Sequence, residues 1–252
     1  MMDLKLVGIA AGHPAHLTAA AIEAISQAEV ILIPQKGEDK EELAQLRLTL
    51  CETFSPGRVI GFDMPVRDTD IADYKERVNL WHDAIAAAWL HALGSLQPGL
   101  RVVLLVWGDP SLFDSTLRIA ERLRGQLEFS LSVVPGLTSI QLLTAAHAVP
   151  LNALAEPFLV TTGRHLRNSG WPAGVDTLVV MLDGDCAFRD LDPEGVSIWW
   201  GAYLGMPGQI LDHGLLSEAG PRIEVRRAQA RAARGWIMDT YLLRRQRAVS
   251  AP

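Results

Sequence analysis

The sequence predicts an α/β fold in two lobes, and three observations carry that expectation. Short apolar runs alternate with helix-period segments through the first 150 residues. The runs LKLVGIA (4–10), EVILIP (29–34) and GLRVVLLVWGDP (99–110) are almost continuously apolar, as strands buried on both faces must be. Past residue 150 the spacing shifts to strand-like runs separated by Gly- and Pro-rich turns, which sets one lobe at 1–149 and another at 150–252.

Taken in order, residues 4–10 form a first strand and 11–18 a loop. Thr18 stands where a cap is needed for a helix over 19–28, because Leu17, Ala21, Ile25 and Ala28 recur at helical spacing. Residues 29–34 then complete a βαβ opening. A charged, then helical stretch covers 36–54, and RVIGFDMP (58–65) is strand-like and closed by Pro65. Residues 73–93 read as a long helix with an apolar stripe of Tyr74, Val78, Trp81, Ile85, Ala88 and Trp89. The strand at 99–110 runs into a Gly-Asp-Pro turn, followed by a helix over 114–124, a strand and turn over 129–139, and a helix over 141–149. In the second lobe, 157–164, 177–184, 196–205 and 235–245 read as strands. Residues 221–228 also read as a strand, with a helix over 226–234 left open.

The chain has 252 residues, 49% of them hydrophobic and 21% charged, enough to bury a sizeable core. That excludes a disordered chain, a coiled coil and a short disulfide scaffold. Two cysteines, Cys51 and Cys186, fit a reduced, cytoplasmic setting. The expectation is no membrane span and, at a net charge of -6, no nucleic-acid partner. The average hides an asymmetry. Eight arginines between Arg222 and Arg247 face only Glu224 and Asp239, a local +6 that suits an anionic ligand or a solvated helix face.

Four strand ends carry polar or glycine-rich turns. In VGIAAGHP (7–14), Gly8 and Gly12 allow close backbone approach, but the spacing is neither a dinucleotide fingerprint nor a P-loop. In VWGDPSLFDST (106–116), Asp109 sits at the carboxyl edge of a sheet, where α/β proteins bind ligands; it can hold a ligand or cap the next helix. In VVPGLTS (133–139), Thr138 and Ser139 open a helix, and in LVTTGRHL (159–166), Arg164 and His165 are a carboxylate partner and an acid/base candidate. None of the seven histidines forms a metal pattern, so no metal is expected, and there is no G-x-S-x-G elbow. Alternation along VSIWWGAYLG points one of Trp199 and Trp200 inward and the other outward.

The ordered set VGIAAGHP, VWGDPSLFDST, VVPGLTS and VVMLDG resembles the tetrapyrrole methylases over nearly the whole chain. That resemblance implies two unequal α/β lobes with S-adenosyl-L-methionine in the cleft between them, S-adenosyl-L-homocysteine as product, a tetrapyrrole substrate and a homodimer. By position it assigns cofactor contacts to Pro14; to Trp107, Gly108, Asp109 and Leu112; to Thr138 and Ser139; to Met181 and Leu182; to Ala202 or Tyr203; and to Met238, Asp239 and Thr240. The first loop departs from the family's G-x-G-P-G-[DN]-P, with Ala11 at the proline position and His13 at the Asp/Asn position.

Within the family, LVWGDPSLFDST, TTGRHL, WWGAYLG and GWIMDTYLLRR are similar to the branch that methylates C1 of precorrin-5. That branch releases the extruded acetyl group as acetate and gives precorrin-6A in aerobic cobalamin biosynthesis. Methyl transfer from a sulfonium asks mainly for alignment, whereas deacetylation needs an activated water and help for developing oxygen charge. The candidates for that half are His13, Asp109, Arg164 and His165, with Arg47, Arg67, Arg167 and the C-terminal arginines as partners for substrate carboxylates. Methylation at another corrin carbon is the sister alternative. A binding protein that sequesters a tetrapyrrole is the alternative from another class.

Overall fold

The computed structural model describes residues 1–35 and 41–246, so the charged beginning of the 36–54 stretch and Arg247 lie outside the described residues. The chain divides into two compact units, Met1–Thr138 and Ser139–Pro252.

In the first unit five strands form one parallel sheet among the described residues: β1 (Met2–Gly8), β2 (Val30–Gln35), β3 (Arg58–Asp63), β4 (Arg101–Val106) and β5 (Phe129–Val134). Their order is β3-β2-β4-β1-β5. Parallel neighbours need crossovers, supplied by α1 (Ala19–Ser26), α2 (Glu41–Phe54), α3 (Tyr74–Gly94) and α4 (Thr116–Arg122). The apolar runs bury both strand faces. Leu4, Leu6, Leu32, Val102 and Leu104 pack with Ile85, Trp89 and Ile119 of α3 and α4. Val7, Ile31, Ile33, Val103 and Leu105 pack with Ala21, Ile25 and Leu50 of α1 and α2. Thr18 caps α1 as expected, its hydroxyl accepting from the Ala21 amide at 3.0 Å. The predicted stripe of α3 holds from Trp81 onward: Ile85 and Trp89 are buried and Trp81 and Ala88 pack against the same core, while Tyr74 is exposed. A parallel sheet puts all carboxyl ends on one edge, and this order sets the ends of β4, β1 and β5 side by side.

The second unit carries a mixed sheet of β6 (Phe158–Thr162), β7 (Thr177–Met181), β8 (Val196–Ala202), β9 (Ile210–Leu215) and β10 (Asp239–Arg245), ordered β6-β7-β10-β8-β9. Only β6 and β7 are parallel; the β7–β10, β10–β8 and β8–β9 pairs are antiparallel. α5 (Ser139–His147) packs against β8 and β10 and therefore counts with this unit. Trp200 is fully buried and Trp199 is not, as strand alternation requires.

Four sequence expectations change here. Residues 221–228 are helical, inside α7 (Leu216–Arg234), because Leu216, Ala219, Gly220, Ile223, Arg227 and Ala230 recur every three or four residues and form its buried face. Residues 163–169 form a further helix, α6, capped by Thr162 and ended by Gly170 at φ 69°. The strand predicted over 235–245 begins only at Asp239, since Gly235, at φ 74°, closes α7 and 236–238 is loop. The edge strand β9 has no counterpart in the sequence expectations: Asp212, His213 and Gly214 interrupt its apolar pattern.

Candidate active site

In the first unit, three strand ends converge through glycine. Ala10 and Gly108 exchange backbone hydrogen bonds of 3.3 and 2.8 Å, which stitches the loop after β1 to the loop after β4. A Cβ on Gly8 would lie 2.6 Å from the Gly136 amide nitrogen, and one on Gly136 would lie 2.3 Å from the Gly108 carbonyl. No side chain fits at Gly8 or Gly136, so backbone amides and carbonyls line the edge there. Ala10 and Phe113 both hold left-handed φ of 49°, a strained conformation gathered in the same two loops.

Asp109 joins two of the loops. One carboxylate oxygen accepts from the Ser111 amide and hydroxyl, and the other accepts from the Gly136 amide at 2.9 Å. Partial burial works to raise its pKa, but the hydrogen bonds from Ser111 and Gly136 outweigh burial and hold the carboxyl below its ordinary range. A carboxylate occupied in this way is a poor proton acceptor at neutral pH. His13 is exposed, and its Nδ1 accepts from the Ala15 amide at 3.1 Å to cap the one-turn helix Pro14–His16. Leu112 donates its amide to the Asp109 carbonyl, and Trp107 packs partly against the core.

In the second unit, Ser139, Ala202, Asp239 and Thr240 come together. Asp239 pairs with Ala202 across the β10–β8 ladder, and the Thr240 hydroxyl donates to Ser139 Oγ at 2.9 Å. Met238 accepts at its carbonyl from the Tyr203 amide, 2.9 Å away. Tyr203 is buried, its hydroxyl donating to the Trp236 carbonyl at 2.7 Å. Leu182, after Met181 at the end of β7, is 65% exposed at φ 52°, an apolar side chain held out on a strained strand end. Arg164 and His165 are both exposed on α6.

Sequence reasoning passed over the network beneath these residues. The Asp183 carboxylate accepts from the Tyr241 hydroxyl at 2.7 Å, the Ala187 amide at 2.6 Å and Arg167 at 3.3 Å. Burial, reinforced by Asp183, pushes the Tyr241 hydroxyl well above its ordinary pKa. Arg227 donates to Asp239 at 2.8 Å and to the Asp183 carbonyl at 2.7 Å, and Trp200 donates to Asp239 at 2.9 Å. The aspartate in VVMLDG was the available signal; its partners lie far along the chain.

The basic C-terminal stretch is largely engaged within the unit. Arg222 and Arg226 pair with Asp212, Arg227 pairs with Asp239, and Arg244 donates to the Pro150 and Leu151 carbonyls. Arg167 pairs with Asp183 and Asp190, and Arg67 lies over Trp81. Among the described residues, no group of three or more His, Cys, Asp or Glu side chains is placed to hold a metal ion, and no helix is long and apolar enough to cross a membrane. Both cysteines are free and buried, and burial pushes each thiol up to about 11.

The family model for Tetrapyrrole (Corrin/Porphyrin) Methylases matches residues 3–220. The chain belongs to this family. A tetrapyrrole methylase of Sinorhizobium sp, the precorrin-6A synthase [deacetylating], is 44% identical over 252 residues, covering 97% of this chain and 96% of that protein. A crystal structure of a cobalamin-synthesis-related protein (CobF) from Corynebacterium diphtheriae superposes with a TM-score of 0.83 at 35% identity, covering 97% of this chain and 99% of that one. The uroporphyrin-III C-methyltransferase of Thermus thermophilus shares the fold, with a TM-score of 0.64 at 22% identity over 96% of this chain and 93% of that one. The two-unit α/β architecture is thus that of a tetrapyrrole methylase.

Proposed function

We propose that the chain is an S-adenosyl-L-methionine-dependent methyltransferase acting on C1 of precorrin-5, with release of acetate and formation of precorrin-6A. The observation that carries this is the 44% identity to a precorrin-6A synthase [deacetylating], which runs through both units. Water is consumed, and acetate and S-adenosyl-L-homocysteine leave with the product. The homodimer is proposed from the family resemblance, and the cytoplasmic setting from the two free cysteines.

Each unit offers surfaces that fit the cofactor. In the first, the glycine-lined edge exposes backbone where a side chain would block approach. Pro14, Trp107, Gly108, Asp109, Leu112 and Thr138 belong to that edge. In the second, Leu182 and Met238 are apolar side chains exposed at strand ends, and Ser139 and Thr240 form a hydroxyl pair. Met181, Ala202, Tyr203 and Asp239 frame them. When bound, S-adenosyl-L-methionine supplies an electrophilic methyl group on a sulfonium.

The protein's share of methyl transfer is orientation and exclusion of water, which rigid strand ends provide. Asp109 acts here by locking two loops, since both its oxygens are occupied. For deacetylation, His13 keeps its Nε2 edge available while Nδ1 is tied to Ala15. That arrangement suits donation to a developing oxyanion. His165 is the candidate water-activating base, and Arg164 the candidate for steadying oxygen charge.

The test is incubation with precorrin-5 and S-adenosyl-L-methionine, with mass spectrometry of the corrinoid and an acetate assay. One methyl gained with one acetate released is the expected outcome. A methyl gained with the acetyl retained rules out this reaction. Binding of the corrinoid without consumption of S-adenosyl-L-methionine marks a sequestering protein.

A further inference from the structure

We propose that Arg47, stacked on Trp107, is a carboxylate receptor at the carboxyl edge of the first unit's sheet. Arg47 projects from α2, and its guanidinium carbon lies 4.7 Å from the centroid of the Trp107 ring. Its Nε reaches the Leu105 carbonyl at 3.4 Å, close to the end of β4. It therefore stands beside the Gly108–Asp109 turn, whose companion loop also touches the same indole: a Cβ on Gly12 would meet Trp107 at 2.8 Å.

Burying part of this cation carries a desolvation cost. Among the described residues no carboxylate lies within ion-pair distance of Arg47, whereas Arg167 on α6 and Arg227 on α7 each pair with an aspartate. Asp114 attracts it from beyond ion-pair distance, its Oδ1 accepting from the Thr116 amide and hydroxyl. Burial dominates over the attraction of Asp114 and Cys51 and lowers the guanidinium pKa to about 10. Among the described residues, one long hydrogen bond to a carbonyl and an indole face leave the planar fork of donors short of an acceptor. A bidentate carboxylate supplies what is missing, and Trp107 holds the guanidinium plane ready for it.

The inference rests on the proposed function, which brings two carboxylate sources to this edge: the acetate and propionate arms of the tetrapyrrole, and the amino-acid end of S-adenosyl-L-methionine. The test compares wild type with Arg47→Met and Arg47→Lys in three measurements. They are the KM for precorrin-5, calorimetric affinity for S-adenosyl-L-homocysteine, and absorbance titration with uroporphyrin III, whose eight carboxylates probe the tetrapyrrole arm without turnover. Arg47→Met is expected to melt at or above the wild-type temperature, because a part-buried charge with no ion-paired carboxylate among the described residues is removed. It should weaken one of the two ligands about ten- to hundredfold, with partial recovery in Arg47→Lys. A raised KM and weakened uroporphyrin binding name the tetrapyrrole; weakened homocysteine-ligand binding names the cofactor. Unchanged affinities in all three measurements overturn the proposal, as does a lowered melting temperature with affinities intact, which marks a packing role. A wild-type chain that binds uroporphyrin III but leaves precorrin-5 unmethylated overturns the function and not the receptor.

Discussion

Asp109 shows how a residue can be legible in place and illegible in role. A carboxylate after a buried strand and before a proline is a ligand-binding candidate from sequence. Its partner across the edge, the Gly136 amide, is 27 positions away and on the far side of β1. No periodicity announces that pairing, because strand order depends on long-range contacts. The consequence is testable. Asp109→Asn replaces one acceptor with a donor that must face either the Gly136 amide or Ser111. Urea denaturation should show a loss of about 1–3 kcal/mol. The pH–rate profile should keep its shape, with the loss confined to rate and affinity. Disappearance of one limb of that profile would instead assign Asp109 a proton-transfer role.

Among elements, α7 was the hardest to read and organises much of the second unit's polar interior. Its arginines and Pro221 obscure a helical pattern whose buried face includes a charged side chain. Arg227 is buried because it closes a network: Asp239 and Trp200 on one side, the Asp183 and Gly184 carbonyls on the other. It thus ties the start of β10 to the loop after β7, the two segments that present Met238 and Leu182. Arg227→Met should cost about 3–5 kcal/mol in chemical denaturation, since it strands the Asp239 carboxylate. Adding Asp239→Asn should restore part of that loss. If the double variant is no better than the single one, the stranded charge is not the cause. β9 and α6 were missed for related reasons: one is an edge strand with polar interruptions, and the other is a seven-residue helix that only its Thr162 cap and Gly170 terminator define.

For the molecule as a whole, buried histidines couple stability to pH. His82 is 3% exposed, and neither ring nitrogen has a hydrogen-bond partner among the described residues. Burial, then the positive charges of Arg122, Arg118 and Arg67, lower its pKa; burial also lowers those of His16 and His147. A folded-state pKa below the unfolded one means that the unfolded chain binds more protons in the window between them. Stability is therefore complete above about 6.5, the unfolded histidine value, and falls as pH drops toward the folded values. Unfolding free energy should decline between about pH 7 and pH 5, and His82→Leu should flatten part of that slope. An identical slope in the variant would remove His82 from the account.

The sequence by itself determined the class of fold, most of its elements, the glycine- and proline-bearing strand ends and the family. These follow from local chemistry: apolar period, caps, turns and short motifs are written in neighbouring residues. Only the tertiary structure decided which strand ends meet, that Asp109 is occupied, that most C-terminal arginines satisfy internal aspartates and carbonyls, and that Arg47 has no ion-paired carboxylate among the described residues. Those outcomes depend on strand order and on backbone groups, which every residue carries alike and which no residue type reveals.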